Sequence, residues 1–203
     1  KNIRIIGDKS LSKRDFERVM GPLRKFGAKF TYKKKGLPLI IKGTKNPKAI
    51  HYFEKKGSAQ CKSSVMLASL NTPGVTSIKA KKSRNHTELF FKNLKIPIKI
   101  KSSKDFDLIK VGRTNKIKPI NYRIPSDISS SAFFIVLTAL SENSKLLIKN
   151  ININPTRTGV ITILKKMGVK ISLKNIKFYK NEKIADILVK SSSNLKPIIC
   201  PPK

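Results

Sequence analysis

Apolar positions along the chain recur with two periods, and the alternation between them marks out a repeated unit. The stretch PLRKFGAKF (22–30) reads as a helix end, a glycine break and a strand, and the same order returns in FFKNLKIPIKI (90–100) and ILKKMGVKI (163–171). A second module alternates with the first. SSVMLASLNTPGVTSI (63–78) and FFIVLTALSENSKLLI (133–148) each read as an apolar helix, a short polar turn and a β-branched strand, with Leu70 to Ile78 spaced like Leu140 to Ile148. Between these modules lie alternating segments bounded by turn residues, all expected as strands: LPLIIKG (37–43), PKAIHYF (47–53), FDLIKVG (106–112), PINYRIP (119–125) and IADILVKSS (184–192). The pattern repeats at about 70 residues, which predicts an α/β (α+β) chain of βαβαββ units in roughly two and a half copies.

The YRIPSD stretch (122–127) joins one repeat to the next through a proline, and SSSAFFIVLTAL after it starts a new helix. A first domain is therefore expected over 1–122, a crossover at 123–127 and a second domain over 128–203. The chain opens inside a strand pattern at Lys1 and stops at IICPPK (198–203) with its last repeat unfinished, so a piece of a longer protein is expected.

Composition narrows the function classes. The longest apolar run, FFIVL (133–137), is far shorter than a bilayer span, and the N-terminal residues show neither a signal-peptide core nor an Arg-rich transit pattern, so a cytoplasmic location without membrane contact is expected. Cys61 and Cys200 suggest neither a metal spacing nor a disulfide framework. The formal charge of +34 invites a nucleic-acid reading. Two features argue against it. Only eight of the 45 basic residues are arginine, and the lysines are spread over the whole chain without aromatic interleaving, which is the distribution of a solvated surface with a general attraction to anions.

Candidate chemistry concentrates in SAQCK (58–62), where small polar residues precede an apolar helix. Such residues cap helices, and they also leave backbone N–H groups facing an anion. Scarce arginines point the same way, since a guanidinium grips phosphate or carboxylate with a planar fork that lysine lacks. Each of the few arginines is therefore a candidate for a geometric task, and Arg157 in NPTR (154–157) reads as a structural tie to a neighbouring loop.

Six stretches in order, GDKSLSKRDFERVMGPL (7–23), LPLIIKG (37–43), GSAQCKSSVMLASL (57–70), SRNHTEL (83–89), IPSDISSSAFF (124–134) and NPTRTGVITILKKMG (154–168), resemble the middle of the 5-enolpyruvylshikimate-3-phosphate synthase family, in its class II branch. The resemblance implies a two-domain enolpyruvyl-transferase fold of βαβαββ units, here incomplete at both ends. It implies transfer of the enolpyruvyl group from phosphoenolpyruvate to the 5-hydroxyl of shikimate 3-phosphate, with loss of phosphate, by a protein that is monomeric and uses no metal or organic cofactor. Ser58 and Ala59 match the phosphoshikimate positions, Gln60 a residue spanning both substrates, Arg14 a phosphoenolpyruvate contact and Arg84 a residue near the sugar phosphate. The proton-transfer groups are expected outside 1–203, so the 203-residue chain alone is expected to be inactive. Two alternatives stand beside this reading: the UDP-N-acetylglucosamine enolpyruvyl transferase of the same fold, whose cysteine-bearing loop has no clear match here, and a lysine-rich nucleic-acid binder.

Two positions depart from the family pattern. Asp15 stands where proline is common and suggests a capping box with Ser12. Asn85 replaces the usual aspartate beside Arg84. Lys9 in GDKS reads as a surface lysine, His86 as a helix-start histidine, and His51 as a strand residue with a structural role.

Overall fold

The computed structural model describes residues 2–32 and 36–200. The chain divides into two compact units, Lys1–Lys118 and Pro119–Lys203. No helix among the described residues is long and apolar enough to cross a membrane.

The first unit begins with β1 (Asn2–Ile5), a short helix α1 (Lys9–Ser12), α2 (Glu17–Lys25), β2 (Lys29–Tyr32) and β3 (Leu39–Lys42). Lys1 lies outside the described residues. β3 runs antiparallel to both neighbours in the order β1-β3-β2. There follows one complete βαβαββ repeat: β4 (His51–Glu54), α3 (Ala59–Ser69), β5 (Val75–Lys81), α4 (His86–Asn93), β6 (Ile98–Ser102) and β7 (Phe106–Gly112). The crossover through α3 makes β4 parallel to β5, and β7 inserts antiparallel between β5 and β6. Alternation along β5 and β7 turns Ile78, Ala80, Ile109 and Val111 inward, where they pack with Val65 and Met66 of α3 and Phe91 of α4.

The second unit repeats the scheme with α5 (Ile128–Leu140), β8 (Lys145–Asn152), α6 (Gly159–Lys166), β9 (Lys170–Tyr179) and β10 (Glu182–Lys190), in the order β8-β10-β9. In all three sheets the last strand of the repeat sits between two earlier ones. Ile128, Ile135 and Ala139 bury one face of α5 against this sheet, and Phe133, Phe134, Leu137 and Leu140 remain exposed.

One expected strand is absent. The segment 119–125 has no ladder; Ser126 alone makes a parallel bridge to Ile151, donating to Asn150 O and accepting from Asn152 N, both at 2.9 Å. Pro119 and Pro125 lack the N–H that a strand pair requires, so the first strand of this repeat shrinks to one bridge. Together with the Arg123 N–H bond to the Tyr179 hydroxyl at 3.0 Å, this bridge places the 123–127 stretch inside the second unit. The Ser12–Asp15 capping box is also absent. Ser12 ends α1 and donates to Gly7 O, while Asp8 caps α1 and Asp15 accepts from Glu17 N at 2.7 Å at the start of α2. A helix that already closes at Ser12 leaves that residue at a C-terminus, with no free helical N–H to accept from.

Among the described residues, three aspartates are held below the ordinary aspartate range by their surroundings. At Asp107 burial pushes the carboxyl up, but hydrogen bonds from Lys82 Nζ (2.7 Å) and Ser102 Oγ (2.6 Å) outweigh it. At Asp127 burial is likewise outweighed, by the Ser130 N–H and the Arg157 charge. Asp186, at a bulge in β10, is lowered by Asn175 Nδ2 and the Asn150 N–H, each at 2.8 Å. A depressed carboxyl contributes its stability above the unfolded value and loses it as pH falls through the folded one. Urea-denaturation stability is therefore expected to decline from about pH 4 downward, and Asp107→Asn is expected to make that acid decline shallower.

Candidate functional site

The local chemistry of residues 54–62 decides how the front of α3 is presented. Glu54 ends β4 with its carboxylate turned inward, and its two oxygens accept from the N–H groups of Lys56 (3.1 Å) and Ser58 (2.8 Å). Gly57 at φ +68° permits the tight turn around that carboxylate, and a side chain there would also crowd the Lys82 carbonyl. Ser58 then caps α3, its hydroxyl accepting from Cys61 N at 3.3 Å. The capping role and the anion-facing role are thus compatible. Glu54 and Ser58 satisfy the Ser58 and Cys61 donors, and among the described residues Ala59 and Gln60 keep their N–H groups without an intrachain acceptor, at the positive end of an 11-residue helix.

These groups face a pocket of about 540 Å³ whose lining includes Ser58, Ala59, Gln60 and Arg84, joined by Arg18, Lys55 and Lys56. Tyr52 forms part of the same wall; burial, with Cys61 and Glu54 adding to it, pushes its hydroxyl up, so it stays a neutral hydrogen-bonding group at neutral pH. Two arginines and two lysines surround a cavity whose one lining carboxylate is engaged by the backbone. Such an arrangement is suited to an anion.

Four of the five sequence candidates, Ser58, Ala59, Gln60 and Arg84, meet in this pocket. Arg14 lies elsewhere, exposed on the turn between α1 and α2 and outside the pocket lining. The arginine that α2 supplies is Arg18, whose guanidinium donates to Gln60 Oε1 at 3.3 Å. That bond uses one of the two acceptor positions of the Gln60 amide oxygen and none of its NH₂ donors. Sequence reasoning passed over Arg18 because the resemblance pointed to Arg14 and Arg84, although the scarcity of arginine applied to all three equally.

Arg84 closes the pocket from the loop before α4. Behind it, Lys62 of α3 donates to the Arg84 carbonyl at 2.9 Å, and Ser63 Oγ meets Thr87 Oγ1 at 2.6 Å. Elsewhere, Arg157 pairs with Asp127 (2.7 Å) and donates to Ser129 Oγ (2.6 Å), tying the 154–157 loop to the start of α5 as its structural reading expects. Lys9 is exposed on α1, His86 opens α4, and His51 stands on the outer face of β4 beside the Ser77 hydroxyl. Cys61 and Cys200 are free thiols.

The sequence pattern of the family EPSP synthase (3-phosphoshikimate 1-carboxyvinyltransferase) matches residues 1–200. A 3-phosphoshikimate 1-carboxyvinyltransferase of Petrotoga mobilis is 43% identical over 192 residues, covering 93% of this chain and 44% of its own length. The corresponding protein of Caldicellulosiruptor saccharolyticus is 42% identical over 196 residues, covering 95% and 45%. Among solved structures, the EPSP synthase from Acinetobacter baumannii superposes with a TM-score of 0.80 at 39% identity, over 98% of this chain and 45% of its own. An enolpyruvyl transferase from Streptomyces tendae, 13% identical with a TM-score of 0.63 over 95% and 44% of the two chains, shares the fold. The chain spans less than half the length of the curated relatives it matches.

Proposed function

The chain belongs to the EPSP synthase family, and from that premise we propose that it forms part of a cytoplasmic, monomeric enzyme moving the enolpyruvyl group of phosphoenolpyruvate onto the 5-hydroxyl of shikimate 3-phosphate, with release of phosphate. The observation that carries the reading is the convergence of Ser58, Ala59, Gln60 and Arg84 on one cationic pocket at the N-terminus of α3. Both substrates are phosphate esters, and that pocket offers them unpaired N–H groups, a hydroxyl and guanidinium forks. The phosphate of shikimate 3-phosphate is assigned to Ser58, Ala59 and Arg84, Gln60 to the space between the two substrates, and Arg14 to phosphoenolpyruvate. The work of this part of the protein is electrostatic and positional: it holds two anions that would otherwise repel each other, so that hydroxyl and enol carbon meet in reacting geometry.

The relatives carry the name of this synthase rather than of the UDP-N-acetylglucosamine enzyme, and binding distinguishes the reading from a polyanion binder. In the full-length protein, phosphate release is expected only with both substrates present, together with saturable binding of shikimate 3-phosphate. Binding that requires a nucleic acid and falls steeply and linearly on a log–log salt plot would replace this reading by the other. Within the pocket, Gln60→Ala is expected to reduce turnover about tenfold, the order expected for one hydrogen bond to a charged ligand, and to leave the denaturation midpoint unchanged because the side chain is exposed. Unchanged kinetics in that variant would return Gln60 to a helix-start residue.

A further inference from the structure

Lys62 is a second unusual feature of α3, after its small polar front. It is 1% exposed on the buried face of the helix, flanked by Cys61, Val65 and Met66, and it is the one charged residue among those that α3 buries. Its ammonium makes two contacts. One is an ion pair with Glu88 Oε1 of α4 at 2.6 Å, where the glutamate is itself 3% exposed, and the other is the 2.9 Å bond to the carbonyl of Arg84. A buried ion pair is a poor device for stability alone, because desolvation of both groups offsets most of their attraction. Among the described residues the second Glu88 oxygen has no hydrogen-bond partner, so the pair is not even fully satisfied on the acid side. The bond to Arg84 is what an apolar pair of the same volume would not supply.

We infer that Lys62 is a positioning residue: anchored by Glu88, it fixes the backbone at Arg84 and so aims that guanidinium into the pocket whose opposite wall is the front of Lys62's own helix. The inference rests on the proposed function of that pocket. A single rigid helix then carries both sides of the arrangement, with Ser58, Ala59 and Gln60 facing the anion from its first turn and Lys62, three residues beyond Ala59, reaching behind to hold Arg84. The contact between Ser63 and Thr87 runs parallel to it and keeps α4 in register with α3. Positioning of this kind matters because a charged fork displaced by a fraction of an ångström loses one of its two bonds to a phosphate.

Two variants of the full-length protein separate positioning from packing. Lys62→Met with Glu88→Leu replaces the pair by apolar groups of comparable volume and removes the bond to Arg84. Glu88→Gln unbalances the buried charge but retains an oxygen for Lys62 and therefore keeps that bond. Thermal denaturation and calorimetric titration with shikimate 3-phosphate are read on both, at a temperature where each is folded. The double variant is expected to keep a denaturation midpoint near the parent's and to bind about tenfold or more weakly, with the KM for phosphoenolpyruvate changing less. Glu88→Gln is expected to be less stable and to bind within about threefold of the parent. A purely structural pair would make affinity follow stability in both. Parent-like binding by the double variant overturns the inference, and so does a tenfold loss in Glu88→Gln, which decides alone if the double variant does not fold. A parent that fails to bind shikimate 3-phosphate overturns the reading of the site and this inference with it; a parent that binds while the variants behave contrary to expectation overturns the inference only.

Discussion

Lys62→Met alone is expected to destabilise the first unit by about 3–5 kcal/mol, the range for breaking a buried ion pair from one side. The methionine fills the space left by the lysine stem, so the loss does not come from a cavity. It comes from Glu88, which is left at 3% exposure without the ammonium 2.6 Å away and with no other counter-charge among the described residues. The Arg84 carbonyl loses its donor in the same step. Chemical denaturation at neutral pH measures the effect, and a second substitution, Glu88→Leu, is expected to recover most of it because the uncompensated charge goes with it. A loss below about 1 kcal/mol would mean that water or a rearranged side chain reaches Glu88, and that the pair is not buried in solution.

The second large effect is expected at Arg84. Arg84→Lys preserves net charge in a chain with 45 basic residues, so a diffuse electrostatic role predicts almost no change. A fork that donates two hydrogen bonds to the sugar phosphate predicts a loss of about 1.5–3 kcal/mol, or roughly ten- to a hundred-fold in affinity for shikimate 3-phosphate. The Lys62 bond is to the main chain and survives the substitution, so the protein should remain as stable as the parent. Arg14→Lys provides the internal comparison: assigned to phosphoenolpyruvate, it should raise the KM for that substrate and spare shikimate 3-phosphate. Steady-state kinetics with each substrate varied at fixed salt reads both variants. Equal behaviour of lysine and arginine at position 84 would assign the pocket's attraction to its general positive field.

Most of the architecture was legible in the chain because it depends on local pattern. Helix-to-strand transitions at 22–30, 63–78, 90–100, 133–148 and 163–171 all appear where the change of period places them, since a half-buried helix and a half-buried strand each impose their own spacing on apolar residues. The segment 119–125 misled for the complementary reason. Its alternation is real, but a strand exists only when its backbone donors find a partner, and its prolines have none to offer.

The chemistry divides in the same way. Residue types and order alone determined that SAQCK begins a helix with its capping serine, and that scarce arginines are the residues to examine for anion contacts. That Arg18 reaches Gln60 was a matter of where α2 lies against α3, which no local pattern shows. Lys62 is the clearest case. In sequence it is one lysine among dozens on a strongly cationic chain, indistinguishable from those that water solvates. Only the packing of α3 against α4 brings it to Glu88 and the Arg84 carbonyl, because burial and charge pairing are properties of neighbours distant in the chain, and no local period encodes them.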